Sequence, residues 1–289
     1  MKLITWNIQW GRGIDGVVDL TRIVKHARSL ADFDVINLQE VADNYPDLPG
    51  NDDRDQFAEL ARLLPGFTAV PGCGVDRAGP NRRRRFGNVI LSRLPVISTR
   101  LHALPWPADK SVSSMPRVAI EATIETAFGP VRATTTHLEY YSTIQRRAQA
   151  HRLRELHDEA CARAGTPPKV TNSKGPFVDS AQTTQAILTA DFNFPPEEDS
   201  YASIQAPLAS GGPRYRDAWP LANGSRPHDP TFCIHEAHWG KGPYCCDFIF
   251  VSEDLAPRVR RVFTDTETRL SDHQPVVLEL ESDSSQTRV

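Results

Sequence analysis

Ser271-Asp272-His273-Gln274-Pro275 runs directly into Val276-Val277-Leu278-Glu279-Leu280. An apolar run of this length reads as a strand, and the acid and imidazole side chains stand at its end. The pattern recurs. Ala186-Ile187-Leu188-Thr189 leads into Ala190-Asp191-Phe192-Asn193, and Val35-Ile36-Asn37 leads into Leu38-Gln39-Glu40-Val41. A sheet whose strands repeatedly end in carboxylate, amide and imidazole groups gathers ligands for a hard cation and a base for water along one edge. That is the plan of a metal-assisted phosphoesterase.

The bulk composition agrees with an enzyme. A chain of 289 residues with 39% hydrophobic content buries a large core and lies near the upper size of one domain, read here as residues 1–282 with a polar tail over 283–289. The formal charge of -3 and the pI of 6.3 supply no global positive field to draw in long nucleic acid. Met1 to Trp6 enters a strand-like alternation at once, without the pattern of a secretion signal, and no stretch approaches a membrane span. Five cysteines, with Cys245 and Cys246 adjacent, do not make a disulfide framework. The expectation is a cytoplasmic protein with no membrane anchor and no obligate protein partner.

Strand-like and helix-like segments interleave along the chain. Strands are predicted over Lys2 to Ile8, Val35 to Leu38, Gly87 to Ser92, Ala186 to Ala190, Phe248 to Val251, Val259 to Phe263 and Val276 to Leu280. The alternation from Val118 to Ile124, the Gly129-Pro130 turn and the alternation from Val131 to Thr135 predict an antiparallel hairpin. Helices are predicted from Asp19 to Leu30, around Phe57, Leu60, Ala61 and Leu64 until Pro65-Gly66, and from Thr143 to Ala164. This order implies mixed sheets covered by helices. Gly165 to Gln185 reads as either a lid or a plain insertion. Ser203 to Tyr244 reads as an irregular, substrate-facing loop because it carries scattered aromatic residues.

Seven motifs occur in one order: Thr5-Trp-Asn-Ile-Gln, Leu38-Gln-Glu-Val, Gly87-Asn-Val-Ile-Leu-Ser-Arg-Leu-Pro, Thr136-His-Leu, Ala190-Asp-Phe-Asn, Asp247-Phe-Ile-Phe-Val-Ser and Ser271-Asp-His-Gln-Pro-Val. Together they resemble the endonuclease/exonuclease/phosphatase superfamily, across residues 3 to 280. The resemblance implies an α/β (α+β) four-layer sandwich of two packed mixed β-sheets flanked by helices, with the active site at one edge. It also implies a phosphoester hydrolase, most often a phosphodiesterase or nuclease, in which an activated water attacks phosphorus in line. Small diesters, lipid head groups and phosphomonoesters fit the same core, because selectivity lives in loops. A catalytically silent phosphate- or protein-binding module is the alternative of another class.

The candidate residues take distinct roles. Asn7 and Glu40 offer hard oxygen ligands suited to Mg²⁺ or Mn²⁺, and the resemblance makes Glu40 the principal ligand. Asp272 is a further carboxylate near the cation or near His273. The resemblance pairs Asp247 with His273, an arrangement that orients the imidazole and raises its basicity. Either His273 or Asp191 is then the base, with Asn193 fixing orientation. His137 resembles the histidine that binds phosphate or protonates the leaving oxygen in the deoxyribonuclease and sphingomyelinase branches. Asn88 is a candidate for orienting site residues. In the basic run Arg82 to Arg85, Arg85 is the candidate for substrate contact, and Arg117 is a second basic candidate. Cys233, His235, His238, Cys245 and Cys246 lack the spacing of a zinc site. Pro230-Thr-Phe, which resembles a family segment, is expected to form a wall of the site.

Overall fold

The computed structural model describes residues 1–169, 174–178, 180–236 and 242–281. The expected tail over 283–289, His238 and part of the 165–185 segment lie outside them. One six-stranded sheet contains β1 (Lys2–Asn7), β2 (Val35–Asp43), β3 (Thr68–Arg77), β4 (Arg84–Ser92), β11 (Val259–Thr264) and β12 (Val276–Leu280). Its order is β11, β12, β1, β2, β4, β3. The other six-stranded sheet contains β5 (Val96–Ala103), β6 (Val118–Thr126), β7 (Gly129–His137), β8 (Ala186–Asp191), β9 (Tyr215–Asp217) and β10 (Asp247–Ser252). Its order is β5, β6, β7, β8, β10, β9. The helices are α1 (Leu20–Leu30), α2 (Gln56–Leu63), α3 (Thr143–Gly165), α4 (Asp199–Ile204) and α5 (Ala218–Asn223).

Period-two alternation sorts the strand residues into layers. Leu3, Val35 and Val276 point between the sheets and pack against Ile120, Ala133 and Ile187 of the second sheet. Their neighbours Ile4, Ile36 and Val277 point outward beneath α1 and α2, where they meet Ile23, Ala27 and Leu60. Leu188, Phe248 and Phe250 point outward on the other side and pack with Leu153 and Leu156 of α3. The expected four-layer sandwich of two mixed sheets is therefore the observed fold. Local signals start the helices as predicted: the Asp19 carboxylate accepts from the Thr21 and Arg22 amides, and Ser142 caps α3 through the Gln145 amide.

Three strands escaped the sequence reading, and each lies at an edge of its sheet: β3 in the first, β5 and β9 in the second. β3 carries Pro71, which a sheet tolerates at its edge, and two glycines that dilute its apolar pattern. Gly72 is required there, because a side-chain carbon at that position would press into Ile120 of the facing sheet. The stretch expected to be irregular from Ser203 also contains β9 and α5.

The face of the second sheet away from the inter-sheet core holds a buried polar group. The Arg132 guanidinium donates to Glu121 at 3.0 Å and contacts His157 Nδ1 at 2.6 Å, while His157 Nε2 meets the Pro213 carbonyl at 2.8 Å. Burial and then the Arg132 charge push the His157 pKa down to about 4. An unfolded histidine protonates near 6.5, so the unfolded chain binds the extra proton between those values and this contribution to stability is lost as pH falls from about 6.5 to about 4. The full linkage is worth on the order of 3 kcal/mol. Urea unfolding of the wild type should therefore lose more stability across that window than His157→Asn does. Parallel pH dependences for the two proteins would show that His157 is not the linked group.

Candidate active site

The inter-sheet face changes character along its length. Reading each strand at alternate residues gives Leu3, Thr5, Asn7 in β1; Val35, Asn37, Gln39 in β2; Ala133, Thr135, His137 in β7; and Ile187, Thr189, Asp191 in β8. The antiparallel β10 runs the other way, from Asp247 through Ile249 to Val251. Apolar residues fill one end, hydroxyls and amides the middle, and carboxylates and imidazoles the other end. The middle layer is cross-linked: Gln39 Nε2 donates to Thr5 Oγ1 at 3.1 Å and Thr135 Oγ1 at 2.9 Å, and Asn37 donates to Thr189 Oγ1 at 2.9 Å. This network ties the two sheets in register just beneath the site, although the buried Asn37 Oδ1 and Gln39 Oε1 find no partner among the described residues.

Strand pairing brings the tips side by side. His137 is opposite Asp191, and Asp191 is opposite Asp247. Glu40 needs a special device, because alternation alone would point it to the α1–α2 side with Leu38. The β2–β4 register shifts between Leu38 and Val41, and Glu40 adopts φ 59°. That bulge turns its carboxylate into the site, where it accepts from Asn7 Nδ2 at 3.1 Å. Asn193, with φ 56°, is bent in the same way; its amide N–H donates to Asp191 Oδ1 at 3.0 Å. Left-handed backbone at such residues costs on the order of 1–3 kcal/mol each, a strain concentrated at the chemistry.

Asp191 is the hub. Its Oδ2 accepts from Asn7 at 3.0 Å and lies 3.4 Å from His137 Nε2 and 3.5 Å from His273 Nε2. His273 Nδ1 bonds Asp247 Oδ2 at 2.9 Å, and the Thr231 hydroxyl donates to the same oxygen at 2.6 Å. The Asp247–His273 pair is thus present. Asp272 accepts from Gln9 Nε2 at 2.8 Å, and His137 Nδ1 is 3.9 Å from Glu40. Asn7, Glu40, His137, Asp191, Asn193, Asp247, Asp272 and His273 form one cluster.

The two imidazoles are driven apart electrostatically. Although burial opposes its charge, His273 faces Asp247, Asp191 and Asp272, which raise its pKa well above the usual value. Burial, reinforced by the Arg117 and His273 charges, holds the His137 pKa well below it. At neutral pH His273 is charged and His137 is neutral. Burial lifts Glu40 to about 7, with Asp272 adding repulsion, and lifts Asp191 to about 6. Crowded buried carboxylates of this kind call for a cation.

Arg85 and Asn88 are placed apart from this cluster. The Arg85 guanidinium meets Asp43 at 2.7 Å and Asp55 at 3.2 Å, and Arg82, Arg83 and Arg84 pair with Asp43, Asp76 and Asp47. Arg85, expected to contact substrate, is engaged by these carboxylates and does not line the main cleft; the basic run ties the acidic 43–55 segment and Asp76. Asn88 donates to the Val118 carbonyl at 3.2 Å and joins β4 to β6 behind His137. Arg117 does reach the site. It is buried against Glu139 at 3.2 Å and lines the main cleft, with no hydrogen-bond partner for Nη1 among the described residues. Glu139 follows His137 by two residues, a spacing that could have flagged it. Trp6 and Gln9 lie in the Thr5–Gln9 motif and Thr231 in the Pro230-Thr-Phe segment, but none was singled out by itself; the Trp6 indole donates to the His273 carbonyl at 2.9 Å.

A cleft of about 560 Å³ opens over the cluster, with Glu40, His137, Asp191, Asn193, Asp272 and His273 on its floor. Phe232, from the expected wall segment, lines it too and packs on His273 with ring centroids 4.4 Å apart. Ligating atoms of Asp191, Cys246, Asp247 and His273 also lie within 4.8 Å of one another. Three of these belong to the hydrogen-bonded hub, and Cys246 backs the Asp247 carboxylate at 3.5 Å.

A profile of the endonuclease/exonuclease/phosphatase family matches residues 4–273. The chain belongs to this family. Its members are phosphoesterases and nucleases, so this chain is a hydrolase of that family. An endonuclease/exonuclease/phosphatase from Bacteroides vulgatus shares 20% identity at TM-score 0.66, covering 97% of this chain and 98% of the other. A mannosyl-6-phosphatase from Bacteroides thetaiotaomicron shares 19% at TM-score 0.65, covering 97% and 99%. The TDP2 protein of D. rerio, solved with a single-strand DNA product, shares 17% at TM-score 0.62, covering 97% and 98%. At these identities the likeness concerns the fold. Among curated proteins, none matches this sequence. Within the described residues, no helix is long and apolar enough to cross a membrane.

Proposed function

We propose that the protein is a Mg²⁺- or Mn²⁺-dependent phosphoesterase, acting on phosphodiesters by in-line attack of water. One observation carries the reading: Asp191 Oδ2 stands between two imidazoles, 3.4 Å from His137 and 3.5 Å from His273, beside the carboxylates of Glu40 and Asp272. The donor set fits a hard divalent ion, since Glu40 and Asp272 present carboxylate oxygens destabilised by burial and repulsion, while Asn7 turns its Nδ2 toward Glu40 and Asp191 and its Oδ1 accepts from the Gln9 backbone N–H. When bound, the cation neutralises phosphate charge and polarises the ester.

The chain's own groups divide the remaining work. Asp191, with its pKa lifted toward neutrality, orients the attacking water and takes its proton. Asn193 holds the Asp191 carboxylate in place through its backbone N–H. His273, charged and backed by Asp247, offers Nε2–H to a phosphoryl oxygen. Arg117 presents its open Nη1 to the same charge, and His137 faces the phosphate from the opposite strand tip. Residues 1–282 act as one catalytic domain in this reading. Cytoplasmic residence is supported by five free thiols.

Side-by-side assays with Mg²⁺ and Mn²⁺ on DNA, RNA, an aryl phosphodiester, an aryl monoester and a sphingolipid should show metal-dependent turnover of a diester. A protein that binds neither cation and hydrolyses none of these is the silent module. Protons compete with the cation for Glu40, so metal affinity should follow pH. Titration calorimetry should show apparent Mg²⁺ affinity weakening by about tenfold per unit as pH falls below about 7. A flat affinity from pH 5 to 8 would remove Glu40 from the ligand set.

A further inference from the structure

The floor of the cleft is polar, yet its walls are not. On the first-sheet side, Tyr45 and Phe86 line it with their rings edge to face at 6.0 Å, and the Arg77 guanidinium lies 5.6 Å from the Tyr45 ring centre. On the second-sheet side, Met115, Pro116, Tyr140 and Tyr141 line it, the two tyrosines edge to face at 4.9 Å. Water and phosphate need none of these rings. A phosphoryl group also occupies only part of about 560 Å³, a size typical of a site for a whole small ligand.

The second wall is built as a unit and remains open to solvent. The 104–117 loop is bonded to the turn before α3: Ser142 donates to Asp109 at 2.6 Å and Gln145 to the Pro107 carbonyl at 2.8 Å. Tyr141 is 58% exposed and Trp106 52%, and the Trp106 indole donates to Ser114, a cleft residue, at 2.9 Å. Large apolar side chains held at a cleft mouth by hydrogen-bonded loops are poised to be covered by a ligand.

We infer that the cleft beside the cluster is a subsite for an aromatic group esterified to the phosphate, gripped between the Tyr45–Phe86 wall and the Tyr140–Tyr141 wall. The inference rests on the phosphoesterase reading and names its substrate class. Rings on both walls favour a flat ring over an alkyl chain, because edge-to-face and offset contacts add to simple burial. The Arg77 guanidinium beside Tyr45 extends the same preference to an electron-rich ring.

The test uses the full chain with saturating Mg²⁺ and three hydrolysis-inert probes, methylphosphonate, hexylphosphonate and phenylphosphonate, with affinities read by calorimetry. Phenylphosphonate should bind at least about tenfold tighter than methylphosphonate, with hexylphosphonate between them. In Tyr141→Ala and Phe86→Ala, the phenyl-to-methyl ratio should fall toward one; Tyr141 is exposed, so its variant keeps the fold even if the Phe86 variant does not. Equal affinities for the phenyl and methyl compounds, tighter binding of hexylphosphonate, or an unchanged ratio in Tyr141→Ala would overturn the aromatic subsite while leaving the phosphoesterase reading intact. Binding of none of the three would overturn both.

Discussion

Replacing His273 by Ala should lower kcat on a diester by about a hundredfold to ten-thousandfold, with the circular dichroism spectrum unchanged. The size follows from its position. His273 is buried, charged, 3.5 Å from Asp191 and locked by the 2.9 Å bond to Asp247, so nothing adjacent can take its place. Asp247→Asn should cost somewhat less, because the imidazole remains but loses the carboxylate that keeps it charged and oriented. The double variant should be little worse than His273→Ala alone, since the two residues act as one unit. Additive losses would mean that Asp247 works independently of His273. Full activity in His273→Ala would remove the pair from the mechanism.

Glu40→Gln should separate catalysis from stability. An oxygen ligand is retained but its charge is lost, and the Mg²⁺ concentration for half-maximal turnover should rise by about a hundredfold or more, beyond the 10–100-fold expected for residues that merely support a ligand. The metal-free variant should be more stable than the metal-free wild type at pH 8. The sign follows from the raised pKa. A carboxylate that ionises at about 7 when folded and near 4.3 when unfolded destabilises the fold as pH rises through that interval, fully so above it. The penalty removed is on the order of 3–4 kcal/mol. Saturating Mg²⁺ should reverse the ranking, since only the wild type keeps the ligand charge. A variant less stable than wild type without metal would mean that Glu40 holds the fold rather than the cation.

Much of this was readable from local pattern. Alternation is a two-residue property, so the inward faces of β1, β2, β7 and β8 could be predicted from their own residues, as could the caps of α1 and α3. What failed was what depends on distant partners. The edge strands β3 and β5 have one neighbour each and so carry weaker apolar patterns. Within the run Arg82 to Arg85, Arg85 read as the substrate contact, whereas Asp43, Asp47, Asp55 and Asp76 pair with the four arginines in the fold. Arg117, which comes just before its strand, was the weaker basic candidate, yet it lines the cleft beside His137.

By itself, the chain's order of residues determined that several strands would end in carboxylate, amide or imidazole groups, and that alternation would present Asn7, His137 and Asp191, though not Glu40, on the face opposite the helix-covered side. Only the packing of the two sheets decided that these ends share one edge. Strand order, the bulge that turns Glu40 inward and the loops that raise aromatic walls arise from contacts between residues up to 279 positions apart, such as Met1 with Leu280. A side chain's face is set by the residues beside it, whereas the company it keeps is set by long-range pairing, which no local pattern encodes.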